Sequence, residues 1–394
     1  MPPHEPAATF DVAIIGAGIV GAATAYFASR LPPGRPPLRV LLLEAEERPG
    51  LHSTGRSAAL YAPAYGPPGV RALTRASRDF FLAPPAGFAA HPLLTPRGAL
   101  FVAGHGRREA LDALLAMLRA EGSPARDLDA KALRSLVPVL EPAAAVHGAL
   151  DDGALDIDVE ALLQGFLRGA KAAGVERVTD ARIERLEPSA GLWRLQSADG
   201  RHWCAAQVVN AAGAWADVVA AAAGVPRVGL QPRRRTAFVF EVPAGLEIAR
   251  WPAVIDIDES WYIKPDAGLL LGSPANADPV PPHDVVPEEL DVAIGIERIE
   301  QATTLRIRRP RRTWAGLRSF VADGEPVIGP EPAAPGFVWA AALGGYGIQS
   351  APAVGRLCAA WIARGAGFEA AFDEGVPAAA LCPRSSGTAA PRPS

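Results

Sequence analysis

The chain has 394 residues, is 49% hydrophobic and 21% charged, and carries a formal net charge of −3. That length exceeds one simple core and predicts two domains, while the composition is that of a globular protein with no basic stripe for nucleic acid. Three cysteines, Cys204, Cys358 and Cys382, stand far apart without a CxxC, which argues against a disulfide scaffold or a zinc site and suits a reducing cytoplasm.

The opening MPPHEPAATF lacks a signal-peptide pattern, and disorder is expected over residues 1–9. Asp11–Ile15 is a short apolar run suited to a buried parallel strand. It runs directly into Gly16-Ala17-Gly18-Ile19-Val20-Gly21, and 22–30 reads as a helix. A Pro-rich loop then leads to a second apolar strand, 38–43, closed by Glu44. A GxGxxG is weak by itself in a chain with 39 glycines. Its place between strand and helix makes it specific, as does an acid 23 residues after Gly21. Gly16 permits the tight turn, Gly18 lets the backbone approach a pyrophosphate, and Gly21 allows close helix–strand packing. The helix N-terminus favours phosphate, and Glu44 suits a ribose. The loop GLHSTGRSAALYAPAYG, 50–66, follows, rich in small and hydroxyl residues and without an acid. Ser53, Thr54, Arg56, Ser57 and Ala58 can wrap a large dinucleotide.

Further on, Pro84-Pro85-Ala86-Gly87 marks a boundary, 100–103 reads as a strand and 107–121 as a helix. Asp158 is the expected N-cap of a helix over 159–173. Gln207–Trp215 reads as a buried strand entering a glycine turn through Ala212, Gly213 and Trp215. Strands over 235–242, 253–257, 261–264 and 268–272 predict a second, antiparallel-rich sheet, with a helix over 287–304 and a strand over 312–320. The longest uncharged stretch, 332–355, is broken by Gly344-Gly345-Tyr346-Gly347. It reads as strand, turn and helix rather than a membrane span. The tail from about Pro377 is Pro- and Ser-rich and is expected to be disordered.

Six stretches in this order, DVAIIGAGIVGAATAY, LLLEAEERPG, HSTGRSAA, VVNAAGAWAD, TWAGLRSFVADGEPVIG and GGYGIQ, resemble the FAD-dependent D-amino-acid oxidoreductases of the glycine oxidase and sarcosine oxidase type. The resemblance runs from about Asp11 to Phe372. HSTGRSAA, YGPPGVRALT, YIKPDAG, LLGSPANADPV and WAGLRSFVADG are also similar to the bacterial D-arginine dehydrogenase branch. The resemblance implies an α/β fold, a Rossmann-type FAD-binding domain with an interleaved mixed-sheet substrate domain. The first would comprise 1–82, 152–227 and 318–376, the second 83–151 and 228–317, leaving 377–394 as tail. It implies noncovalent FAD and oxidation of a D-amino acid to an imino acid, which water hydrolyses to a 2-oxo acid and ammonia. The electron acceptor would be a quinone or other carrier, or oxygen. A cytoplasmic protein with at most weak membrane contact is expected.

Such chemistry needs a clamped carboxylate and a held Cα, and guanidinium forks clamp carboxylates best. By the resemblance, Arg318 and Arg235 take that role, Tyr262 joins them, and Tyr65 covers the substrate. The Gly345 carbonyl would accept from the substrate amine. Gly316, Tyr346 and the backbone N–H groups of Gly347, Ile348 and Gln349 would hold the flavin. Four positions depart from the D-arginine pattern: Leu60, Ala62, Ala99 and Leu343 stand where that pattern has histidine, threonine, glutamate and glutamine. A cationic side chain would lack its counter-charge there, unless Asp256 or Asp258 supplies one. A pocket for uncharged, apolar side chains is therefore expected. A secondary or cyclic amine oxidase, such as one for D-proline or sarcosine, a flavin-binding protein without turnover and an NAD dehydrogenase are the rival readings.

Overall fold

The computed structural model describes residues 8–31, 36–363 and 375–384. The first strand, Ala8–Ile15, begins earlier than expected because Ala8–Phe10 pair with Trp203–Ala205. It lies at the centre of five parallel strands in the spatial order Glu176–Val178, Val40–Leu43, Ala8–Ile15, His202–Asn210 and Phe337–Ala341. Helices cover both faces of such a sheet, so its strands read as unbroken apolar runs. Val-Leu-Leu-Leu at 40–43 is wholly buried. The hairpin Ile183–Ser189/Leu192–Ser197 pairs with the first half of His202–Asn210, and Phe337–Ala341 with the second. Val327–Pro330 completes eight strands.

Helix Ile19–Ala28 is nearly all buried, enclosed by helices Val159–Ala172 and Gly347–Ala363. Small residues make this possible. A Cβ on Gly355 would come within 2.8 Å of the Ala23 backbone. Asp158 caps its helix as expected, accepting from the Ala161 N–H at 2.8 Å. The helix Pro68–Leu82 was not anticipated; its buried Val70, Leu73, Ser77 and Phe81 recur at helical spacing.

A second, nine-stranded sheet has Arg126–Asp129 at one edge and, at the other, Arg312–Phe320 and Asp278–Pro279 both paired with Gln231–Phe240. One face packs on helix Glu289–Ala302 and the short helix Ala130–Leu136. The other packs on helix Arg108–Ala120 and faces a cavity. Three short strands, Leu60–Tyr61, Leu155–Ile157 and Leu94–Pro96, form a small third sheet. Arg312–Phe320 pairs along its whole length with Gln231–Val239, so the boundary expected at 317/318 falls inside a strand of the second sheet. The expected tail also differs at its start. Ala378–Leu381 forms a short helical turn with Leu381 1% exposed, and Arg384 pairs with Asp323 at 2.9 Å. The apolar Leu381 side chain gains from that burial. Residues 1–7, 364–374 and 385–394, including most of both expected disordered ends, lie outside the described residues. Among the described residues no helix is long and apolar enough to cross a membrane.

Candidate functional site

The cleft where the two large sheets meet holds about 2000 Å³ of atom-free space, part of it open to solvent. One end is the turn after the first strand. Gly16 has φ +100°, and a Cβ there would lie 2.5 Å from the Ala211 carbonyl oxygen, so glycine is required. A Cβ on Gly21 would collide with the Gly16 carbonyl. Glu44, 8% exposed, accepts from the N–H of Ala17 at 2.9 Å and of Glu46 at 3.1 Å. Burial raises its carboxyl above the ordinary value, opposed by those backbone hydrogen bonds. Thr54 Oγ1 accepts from the Ile19 N–H at 3.1 Å and so sits at the N-terminus of the first helix.

The loop is pinned across the cleft. Ser53 Oγ donates to Leu317 O at 2.7 Å. The Arg56 guanidinium donates to Leu51, Val285 and Ala315 carbonyls and to Asp284 at 2.6 Å. Trp314 Nε1 donates to Arg56 O at 3.1 Å. Arg56 thus uses its donors to shape the loop. Ser57 Oγ accepts from Ala59 N–H, and Ala59 takes φ +56°.

The other end carries two guanidinium groups. Arg235 lies on Gln231–Phe240 and Arg318 on Arg312–Phe320, adjacent strands of the second sheet. Arg235 Nε donates to Asn276 O at 2.6 Å. Both line the cleft, and neither forms an ion pair with a described carboxylate. Burial, then the Arg318 charge, lowers the Arg235 guanidinium from its ordinary value. Burial acts in the same direction on Arg318, but Tyr65, Tyr262, Tyr346 and Glu259 outweigh it and raise that group. Both therefore stay cationic. Tyr65 and Tyr346 meet edge to face, with centroids 5.4 Å apart. Burial raises the Tyr65 phenol, which stays a neutral donor.

Gly344 takes φ +53° and its N–H donates to Ser319 O at 2.9 Å. A Cβ on the following Gly345 would lie 2.8 Å from the Arg318 guanidinium. This close turn delivers the chain to helix Gly347–Ala363, whose first N–H groups face the cleft. Gln349 Oε1 accepts from Ala62 N–H at 2.9 Å, while its buried Nε2 has no hydrogen-bond partner. That orphaned donor, the glycine turns and the volume of the cleft fit a bound dinucleotide.

The cleft brings together Gly18, Ile19, Ser53, Thr54, Arg56, Ser57, Ala58, Leu60, Ala62, Tyr65, Ala99, Gly213, Arg235, Tyr262, Gly316, Arg318, Leu343 and Gly345–Gln349. Gly16, Ala17, Gly21, Glu44, Ala212 and Trp215 stand behind its wall; the Trp215 ring packs on His52 at 4.6 Å. Neither acid considered as a substitute counter-charge lines the cleft. Asp256 accepts from the Ser260 hydroxyl at 2.6 Å, and Asp258 pairs with Arg107. Their neighbour Glu259 does line it, with φ +51°, and accepts from Tyr65 Oη at 3.1 Å. Sequence reading passed over Glu259 because a turn acid is ordinarily solvated; its left-handed backbone aims it inward.

The family model described as FAD dependent oxidoreductase matches residues 11–361. FAD-dependent oxidoreductase domain-containing protein 1 of Bos taurus is 25% identical over 417 residues, covering 92% of this chain and 83% of that protein. Mitochondrial sarcosine dehydrogenase of Mus musculus is 26% identical over 388 residues, covering 92% of this chain and 41% of that protein. Glycine oxidase from Geobacillus kaustophilus superposes with a TM-score of 0.80 at 21% identity, covering 96% of this chain and 99% of that one. At that identity the superposition speaks for the fold.

Proposed function

Since the chain belongs to the FAD-dependent oxidoreductase family, we propose that it oxidises D-amino acids with uncharged side chains to 2-oxo acids and ammonia. The observation that carries this reading is the pair Arg235 and Arg318, two cations that form no ion pair with a described carboxylate although Glu259 shares their cleft, facing the Gly345–Gln349 turn. Their natural occupant is a carboxylate, held by guanidinium forks and the Tyr262 phenol. Bound FAD supplies the acceptor of the hydride. The clamp places the Cα–H bond and excludes water from it. The substrate binds as its free amine, the ammonium proton having been left to solvent, so that the nitrogen lone pair forms the C=N bond as the hydride leaves Cα. The exposed Gly345 carbonyl accepts from the amine. Water then adds to the imine and ammonia departs.

The D configuration rests on the likeness of HSTGRSAA, LLGSPANADPV and their companions to D-arginine dehydrogenases. The side-chain preference rests on the wall of the cleft. Leu60, Ala62, Ala99, Phe101, Leu114 and Met117 line it; the acids of the same cleft are engaged, Glu259 by Tyr65 and Asp151 by Ser123, and Lys264 shares the floor, so a buried guanidinium would be costly there. Electrons leave for a quinone or similar carrier. FAD is held without a covalent bond, since Cys204, Cys358 and Cys382 are absent from the cleft lining.

Anaerobic addition of single D-amino acids to the purified yellow protein tests the reading through bleaching of the flavin band. Neutral D-amino acids should bleach it at least tenfold faster than D-arginine or D-lysine. A preference for the cationic pair overturns the pocket argument. Bleaching by sarcosine or D-proline alone moves the protein to the secondary and cyclic amines.

A further inference from the structure

The floor of the cleft is a row of residues on four adjacent strands. Asp151 pairs with Ala99 and Ala99 with Ala253. Ala253 lies opposite Lys264, one step beyond the Val254–Ile263 pair. Side chains alternate between faces. Leu100, Val254 and Ile263 belong to the core on the far side of the sheet, so Ala99, Ala253 and Lys264 face the cleft, which all three line together with Asp151. Strands lie about 4.8 Å apart, so the row spans about 14 Å. Its two central residues are alanines, which leave a trough between a cation and an anion.

Both ends are buried, with Lys264 4% and Asp151 2% exposed. Lys264 Nζ donates to Asp156 Oδ1 at 2.8 Å, and Asp156 Oδ2 accepts from Arg97 Nε at 2.6 Å. An ammonium has three donors, and Asp156 takes one. Asp151 Oδ1 accepts from Ser123 Oγ at 2.6 Å and from Gly153 N–H at 2.9 Å; its Oδ2 has no hydrogen bond from a described residue. The remaining hydrogen-bonding capacity of both groups is turned to the cleft they line, where solvent or a ligand can take it. A group that accepts at one end and donates at the other satisfies both. An aliphatic side chain does neither. A guanidinium meets Asp151 but confronts Lys264, and a carboxylate does the reverse.

Resting on the amino-acid reading above, we infer that Lys264 and Asp151 form a recognition site for a substrate side chain ending in a carboxamide. The carbonyl accepts from Lys264 and the amide N–H points along the trough toward Asp151, while Arg235 and Arg318 hold the α-carboxylate. Ala99 and Ala253 are the residues that open the way.

D-glutamine, D-methionine and D-glutamate are close in size and separate the alternatives. With the FAD-loaded protein, kcat/KM for D-glutamine should exceed that for D-methionine by about tenfold or more, the worth of a charge-assisted hydrogen bond. Lys264→Met keeps length without donors and leaves Asp156 with Arg97; it should abolish that ratio. Ala253→Leu fills the trough while keeping both members of the Lys264–Asp156 pair in the chain and should abolish it too, which covers the case where the first variant does not fold. Equal or better turnover of D-methionine, or a ratio unchanged in the variants, makes Lys264 a structural partner of Asp156 and overturns the inference. So does D-glutamate as the best substrate, which makes Lys264 a counter-charge. Absence of bleaching by all three is a different result: the amino-acid reading itself then fails, and this site with it.

Discussion

Arg318 is held in place by its strand and by the close pass of Gly345. Its contribution lies in the shape of the guanidinium as well as its charge. Arg318→Lys keeps the charge and loses the fork. In stopped-flow bleaching with the best D-amino acid, kcat/KM should fall by about a hundredfold or more, on the order of a broken, desolvated charge pair. A fall carried by KM alone would assign Arg318 to ground-state binding. An unchanged kcat/KM would remove it from the site. The arginines were legible in the sequence because each sits in a motif, TWAGLRSF or RRRTAF. Glu259 and Lys264 were not. Each is an ordinary charged residue in sequence. Their placement depends on a positive φ in one case and on strand register in the other.

At the scale of elements, the segment between the loop of residues 50–57 and helix Pro68–Leu82 is fastened by Tyr61. This residue is 1% exposed, donates from Oη to the Thr74 carbonyl at 3.1 Å and packs edge-on against Phe81. Burial pushes its phenol up from the ordinary 10 to about 12. The folded state therefore holds this proton more tightly than the unfolded one. The stabilisation is complete below pH 10 and is lost as pH rises toward 12, by about 2–3 kcal/mol at most. Urea midpoints of the wild type should fall across that window, and Tyr61→Phe, which cannot titrate, should fall less. Parallel curves would show that Tyr61 does not carry the alkaline instability. The helix it anchors was hidden in sequence by Pro67-Pro68-Gly69, which reads as a breaker. Proline suits the first turn of a helix, where its missing N–H has no partner to lose. The strands of the second sheet were legible by composition, but their ends shifted by a few residues, since pairing partners set strand ends.

At the scale of the whole molecule, the cleft is also a seam. The start of the first helix contributes Gly18 and Ile19, the loop contributes Thr54 and Ser57, and the second sheet contributes Arg235, Tyr262 and Arg318. Few links other than Ser53–Leu317 and the Arg56 contacts tie loop to sheet there. A dinucleotide lying along the seam binds the folded arrangement and has no site in the unfolded chain, so it stabilises by mass action. At a hundredfold excess over its Kd, FAD should add about 2.7 kcal/mol, visible as a rise of several degrees in Tm over flavin-depleted protein. The same preparation tests the mode of attachment. The cysteines stand away from the cleft: Cys358 is buried in helix Gly347–Ala363, and burial pushes its thiol up to about 12, which makes it a poor nucleophile. Acid precipitation should therefore leave the yellow colour in the supernatant. Colour in the pellet would mean a covalent bond to flavin. A Tm indifferent to added FAD in colourless, refoldable protein would mean that the seam is not where the cofactor binds.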